Sequence, residues 1–223
     1  QLEYDLAEEI NYQDKQESIP LSIAVNADTL AIWFIPALAP LLKSYPLVLD
    51  LQVADESRTQ ELLKKGEVFS AISSKKQSIS GCKVEAIGNV EYIMCCTPEF
   101  KEKYFPDGIN IKALTKAPGV EYDKRDTMDS EYIAKYFGIK LGDYPCHTVR
   151  SSEAFVTMAI EGLAYCLLPH TQANKYLAKG QLIDLMPDKH LKQTLYWHSW
   201  VLEKGIYKKV SEYIVQYGRE LLM

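Results

Sequence analysis

The side chains of this chain that can do chemistry gather where an apolar, strand-like run gives way to a helix. The first such corner is Asn26-Ala27-Asp28-Thr29, after the run Leu21–Val25. Helix N termini leave backbone N–H groups outside the helical ladder and carry a partial positive charge. A corner of this type can hold an anion such as a carboxylate. Asp28 or Thr29 can equally cap the helix, a side-chain oxygen accepting from an N–H further on. Ser151-Ser152 forms a second corner with the same two readings, cap or anion grip. Ser73 and Thr97 place further hydroxyls at the ends of extended runs. Asp123 and Asp126 lie in a loop between a strand and a helix. They are either a solvated turn or carboxylates that hold a cationic group, because a buried charge needs a partner of opposite sign.

Catalytic and metal chemistry find no pattern. His147, His170, His190 and His198 are scattered, with no pair at ligand spacing. Cys146 and His147 are neighbours, but strand alternation would turn them to opposite faces. There is no Gly-x-Ser-x-Gly elbow, phosphate-binding loop or dinucleotide glycine fingerprint. The expectation is a non-enzyme without a cofactor. The five cysteines, Cys82, Cys95, Cys96, Cys146 and Cys166, are odd in number and form no Cys-x-x-Cys. They read as reduced core residues of a cytoplasmic protein. The net charge of −5 argues against a large nucleic-acid surface in these residues. No run approaches the ~18 apolar residues of a membrane span, so no membrane partner is expected. The acidic, amphipathic N terminus does not read as a signal peptide.

These corners need elements to position them. Hydrophobic periodicity predicts a strand over Leu21–Val25, a helix over Thr29–Lys43 strained by Pro36 and Pro40, a strand over Leu47–Val53, a helix over Glu56–Lys65 stopped at Gly66, and a strand over Val68–Ile72. Two extended runs follow, Lys83–Ile87 and Glu91–Thr97, with Gly88-Asn89 between them. A second β-α series starts at Gly119–Tyr122 and includes helices over Asp129–Phe137, Ser152–Glu161 and Thr171–Lys179. Gln193–Trp200 is aromatic and extended, its rings read as core. Tyr207–Leu222 is a final amphipathic helix. The β-α-β order implies parallel strands with helices on their faces. Glu91–Thr97 and Gln193–Trp200 fall where the chain could pass between two halves and return. The predicted fold is α/β: two Rossmann-like lobes joined by two crossover strands, with an inter-lobe cleft at the strands' carboxyl ends, where small-ligand sites favour sitting.

Several stretches carry a resemblance: Ala24-Val-Asn-Ala-Asp-Thr-Leu-Ala31 with Trp33, Asp55-Glu-Ser-Arg-Thr-Gln-Glu61, Gly66-Glu-Val68, Lys103-Tyr-Phe-Pro106, Pro145-Cys-His147, Ser151-Ser-Glu-Ala-Phe-Val156, Pro169-His170 and Leu195-Tyr-Trp-His198. Together with the element order they resemble the effector-binding domain of LysR-type transcriptional regulators. The likeness is to the ArgP (IciA) type, lysine- and arginine-responsive and also described as inhibitors of chromosome replication initiation. It runs from about Leu21 to the C terminus. It implies a periplasmic-binding-protein-like type 2 fold, an amino-acid effector in the cleft and a homodimer, possibly a tetramer in the full-length protein. It implies DNA binding only through an N-terminal winged helix-turn-helix absent from these residues. Residues 1–18 would be the end of a linker helix and a linker, 19–94 with 196–223 the first lobe, and 95–195 the second. A basic amino acid offers one carboxylate and two cations. The hydroxyls and N–H groups at Thr29 and Ser151-Ser152 suit the carboxylate; Asp28, Asp123 and Asp126 suit the cations. A solute-binding protein for a polar amino acid, with a similar two-lobe fold, is the competing reading.

Overall fold

The computed structural model describes residues 18–54 and 56–222. The expected tail of a linker helix, residues 1–12, lies outside them. The chain divides into two compact units, one running up to Asn89 and resuming at Thr194, the other Val90–Gln193.

In the first unit the central strand is β1, Ile19–Val25. Leu21, Ile23, Ala24 and Val25 are all fully buried, as expected of a parallel strand covered on both faces. β2 (Leu47–Val53) pairs parallel on one side of it and β3 (Ser70–Ser73) parallel on the other. β9 (Leu191–Trp200) then runs antiparallel to β3, and β4 (Cys82–Cys96) follows β9. The C-terminal helix Gly205–Leu221 buries Ile206, Val210, Ile214, Val215 and Gly218, a stripe at helical spacing.

The helix after β1 starts as Ala27–Thr29, passes through a π turn, Leu30–Phe34, and continues as Ile35–Ser44. It runs through Pro36 and Pro40 without an early ending. The irregularity sits upstream instead, in the π turn, where the widened ladder precedes a residue that has no N–H to donate. The two extended runs expected around Gly88 form one 15-residue strand, β4. Gly88 holds φ 141, and a Cβ there would overlap Leu222 Cβ and come 2.7 Å from the Leu222 carbonyl oxygen. A glycine that reads in sequence as a break between two extended runs thus lets two chain segments approach.

In the second unit β4 pairs antiparallel with β7 (Cys166–Pro169) and with β8 (Ile183–Asp184). β5 (Gly119–Glu121) and β6 (Cys146–Thr148) form a parallel pair in register Gly119↔Cys146 and Glu121↔Thr148. Helices Met128–Phe137, Ser152–Ile160 and His170–Ala178 flank these strands. The core is Ile93, Cys95, Val120, Phe155, Cys166, Leu168 and Leu182 with their neighbours. The apolar run 163–168 suggests a longer strand in sequence, but β7 begins only at Cys166. Gly162 and Leu163 first close the preceding helix, donating to the carbonyls of Ala159 and Met158. All five cysteines are free thiols.

Candidate functional site

In the first unit, β1 releases the chain at Asn26, whose backbone is extended (φ −81, ψ 164). Its side-chain oxygen accepts from the Thr29 N–H at 3.0 Å, and its carbonyl accepts from the Leu30 N–H. Asn26 is therefore the cap, two positions before Asp28 and three before Thr29, the expected choices. Its geometry alone meets the requirement: extended backbone at the cap, helical backbone after it. Ala27 and Asp28 form the exposed side of the first turn and are half-buried. Freed from capping, Thr29 is 1% exposed, and its Oγ1 has no hydrogen-bond partner among the described residues. Trp33 Nε1 is in the same condition one turn on, its ring stacked on Tyr217. Ser73, fully buried, closes β3 and accepts from the Lys75 N–H at 3.1 Å.

In the second unit, Thr97 caps the helix Pro98–Tyr104 by accepting from the Phe100 N–H at 3.1 Å. Asp123 Oδ1 accepts from the N–H groups of Arg125 (2.8 Å) and Asp126 (3.2 Å), and Oδ2 lies 3.4 Å from Arg150 Nη2. The Arg125 N–H, with help from the Asp126 N–H and the Arg150 charge, holds its carboxyl below the usual range against the opposing effect of burial. Asp126 accepts from the Met128 N–H at 3.1 Å, at the start of the next helix. Ser151 caps Ser152–Ile160, accepting from the Ala154 N–H, and its hydroxyl donates to Glu153 at 3.0 Å. Ser152 is buried and donates to Gln172 Oε1 at 3.2 Å.

The candidates therefore fall on both units, Asn26, Ala27, Asp28, Thr29 and Ser73 on the first and Thr97, Asp123, Asp126, Ser151 and Ser152 on the second. Most already make a local hydrogen bond. Thr29 is the candidate whose polar atom is sealed in and unsatisfied, which costs stability unless something pairs it. A buried hydroxyl at a helix N terminus can donate to a ligand carboxylate. Arg150 is an addition that sequence reasoning passed over. Its side chain is 73% exposed, so its pair with Asp123 is a solvent-screened one that a ligand cation can replace. Glu121 is a second addition. It is 6% exposed; Oε1 accepts from the Thr148 hydroxyl at 2.9 Å, and Oε2 has no hydrogen-bond partner among the described residues. Strand alternation was the only available signal, and it gives the face without the partners.

The chain matches the family described as LysR substrate binding domain over residues 14–200. The HTH-type transcriptional regulator ArgP of Aeromonas salmonicida is 49% identical over 222 residues, 100% of this chain and 74% of that protein. The crystal structure of ArgP from Mycobacterium tuberculosis superposes with a TM-score of 0.86 at 27% identity, covering 97% of this chain and 72% of that one. Full-length LysG from Corynebacterium glutamicum, solved with its effector arginine bound, superposes with a TM-score of 0.83 at 28% identity, covering 98% and 71%.

Proposed function

The chain belongs to the family of LysR substrate-binding domains, and from that membership we propose that it senses a basic amino acid, lysine or arginine, on behalf of a DNA-binding transcriptional regulator. The observation that carries the ligand reading is Thr29. Its Oγ1 is buried at the head of a helix, with no hydrogen-bond partner among the described residues, a position suited to an anionic group. An amino acid's carboxylate supplies that group. Arginine bound to LysG, a protein of like structure, supports the choice of a basic side chain.

The determinants we assign lie on both units. In the first, the Thr29 hydroxyl and the helix head at Asn26–Thr29 take the carboxylate, with Ser73 nearby in the strand order. Asp28 is the first unit's candidate for a cation. In the second, Asp123 and Asp126 take a cation, the ligand replacing Arg150 on Asp123. Thr97, Ser151 and Ser152 supply further hydroxyls. No covalent step and no cofactor are required. The domain works by population shift: the effector favours one arrangement of the regulator, and the difference reaches DNA through a DNA-binding domain and the subunit contacts of a homo-oligomer in the cytoplasm. Each tenfold preference for one arrangement is worth about 1.4 kcal/mol, and a ligand with no preference regulates nothing. A solute-binding protein is not favoured, because the relatives that match the whole chain are named as transcriptional regulators.

Titration calorimetry of the chain with lysine, arginine and norleucine tests the reading. Heat with one or both basic amino acids and none with norleucine, which lacks the distal cation, is expected. Silence with both basic amino acids at millimolar concentration removes it.

A further inference from the structure

Two imidazoles and two carboxylates of the second unit meet in a cluster that the assignment above does not use. Glu91 comes from β4 and His170 from the start of the helix after β7. The antiparallel register Tyr92↔Pro169 brings them together, since one step back on β4 meets one step forward from Pro169. His170 Nδ1 lies 3.5 Å from Glu91 Oε2. His190 Nδ1 lies 3.4 Å from Oε1, and Lys192 Nζ lies 3.9 Å from that same oxygen. The far nitrogen of His190, Nε2, is 2.6 Å from Asp184 Oδ2 on β8. Asp184 Oδ1 accepts from the Met186 N–H at 2.9 Å, which fixes that carboxylate. The two imidazole rings are 6.4 Å apart, centre to centre.

The geometry decides what this cluster can take. The imidazole nitrogens point at carboxylate oxygens, and His190 does so on both edges of its ring, so the four groups converge on no common point. Among the described residues no group of three or more His, Cys, Asp or Glu is gathered for a metal ion. The ligand that fits is the proton, because histidine ordinarily titrates between about pH 5 and 8. A neutral ring carries one N–H, so His190 donates to both carboxylates only as the imidazolium. Asp184 first, and Glu91 after it, raise its pKa against the opposing effect of burial. His170 opens the helix His170–Ala178, which has no side-chain cap. An imidazolium is unfavourable at a helix head, and the Glu91 carboxylate offsets that. Two further titratable groups face Asp184, the Cys95 thiol on β4 and the Tyr132 phenol on the helix Met128–Phe137. Burial above all pushes both up, so they stay neutral across the histidine range. Lys189, next to His190, is turned to the Tyr136 ring at 5.0 Å.

The place of the cluster gives it a use. β4 and β9 are neighbours in the sheet, and through them the chain enters the second unit at Val90 and leaves it at Gln193. Just outside that unit the Thr194 hydroxyl donates to Asn89 Oδ1 at 2.7 Å. Residues two apart on a strand share a face, so the Glu91–Lys192 pair extends this cross-strand bond into the second unit. We propose that Glu91, His170, His190 and Asp184 form a proton-operated clamp, which when protonated ties β4 and the start of β9 to β8 and the helix His170–Ala178, and when deprotonated lets them loosen. The clamp stands whether or not the chain binds an amino acid.

The test combines two measurements on the chain from about pH 5.5 to about pH 8.5: NMR titration of the histidine Cε1–H groups, and amide hydrogen exchange at the two ends of that range. His190 should titrate above the ordinary histidine value, and Asp184→Asn and Glu91→Gln should each lower it. Exchange is corrected for its intrinsic rise with pH, with the β1 amides as reference. The amides of residues 91–93 and 191–193 should then be roughly two- to fivefold less protected at the upper pH, a modest factor because the charged groups are partly exposed. Glu91→Gln and His190→Gln should abolish that difference. A cluster that only holds the strands in place would lose protection equally at both pH values in the variants. That outcome, or parent protection that does not change with pH, or a His190 that titrates at or below the ordinary value, overturns the proposal. Should Glu91→Gln not fold, His190→Gln decides together with Asp184→Asn, which keeps an oxygen for the Met186 N–H.

Discussion

Thr29→Val separates a ligand-binding hydroxyl from a structural one. The substitution keeps the β-branched shape and a similar helix propensity, and exchanges one buried hydroxyl for a methyl. In the unliganded protein that hydroxyl donates to nothing among the described residues. Leaving a buried polar group unpaired costs roughly 1–3 kcal/mol, and replacing it with an apolar group of the same shape removes that cost. The variant should therefore melt no lower than the parent. A gain of about 1 kcal/mol corresponds to a rise of roughly 2–4 °C for a chain of this size. In the complex the same hydroxyl would donate to a carboxylate, a charge-assisted bond worth about 1.5–3 kcal/mol, so affinity should fall roughly 10- to 100-fold. Unfolding in the absence of ligand, with calorimetry against lysine and arginine, reads both quantities on one sample. A lower melting temperature with unchanged affinity would refute the reasoning, because it would mean that the hydroxyl has an internal partner and no ligand.

Asp123→Asn should weaken lysine binding more than it weakens folding; matching affinities for variant and parent would sink the cation assignment. Because the Asp123 carboxyl is held low, its stabilising contribution is present above the ordinary carboxylate range and lost as pH falls through its depressed value. The substitution should accordingly flatten the acid limb of stability against pH. His190 moves in the opposite direction. The Asp184 carboxylate at 2.6 Å, assisted by Glu91 and opposed by burial, raises its pKa. Its contribution is complete below the ordinary histidine value and lost as pH rises through the raised one, so His190→Gln should flatten the melting profile in that window. Gly88→Ala should destabilise the fold by about 1–3 kcal/mol of overpacking, read as a lower melting temperature, because the new Cβ meets Leu222 in a backbone region that favours glycine. An unchanged melt would show that the Leu222 end yields at no cost.

Much of the fold was legible because its signals are local. Apolar periodicity marks β1, β2 and the C-terminal helix, and Gly66, Gly138, Gly162 and Gly180 stop helices where their positive φ requires. Ser151 is a recognisable cap, since a hydroxyl just before a helical run has few other local uses. The errors share a cause. Asn26 lost the cap position to Asp28 and Thr29 in sequence because all three types cap well; where β1 releases the chain decides among them. Gly88 reads as a break between two extended runs because nothing in its neighbourhood reveals Leu222, 134 positions further along the chain.

By itself, then, the sequence determined the order of elements, the helix N termini that can hold an anion, and the family. Which polar atoms are satisfied was decided only by tertiary structure. Asp123 looked free to hold a cation, yet it meets Arg150 across the fold. Glu121 looked like an ordinary strand residue, yet one oxygen is bonded to Thr148, 27 residues on, and the other is sealed without a hydrogen-bond partner among the described residues. Thr29 looked like a cap, yet Asn26 caps and leaves its hydroxyl without a partner among the described residues. Periodicity and capping act within a few residues. The cost of burying a polar group depends on every atom around it in space, and those atoms come from distant parts of the chain.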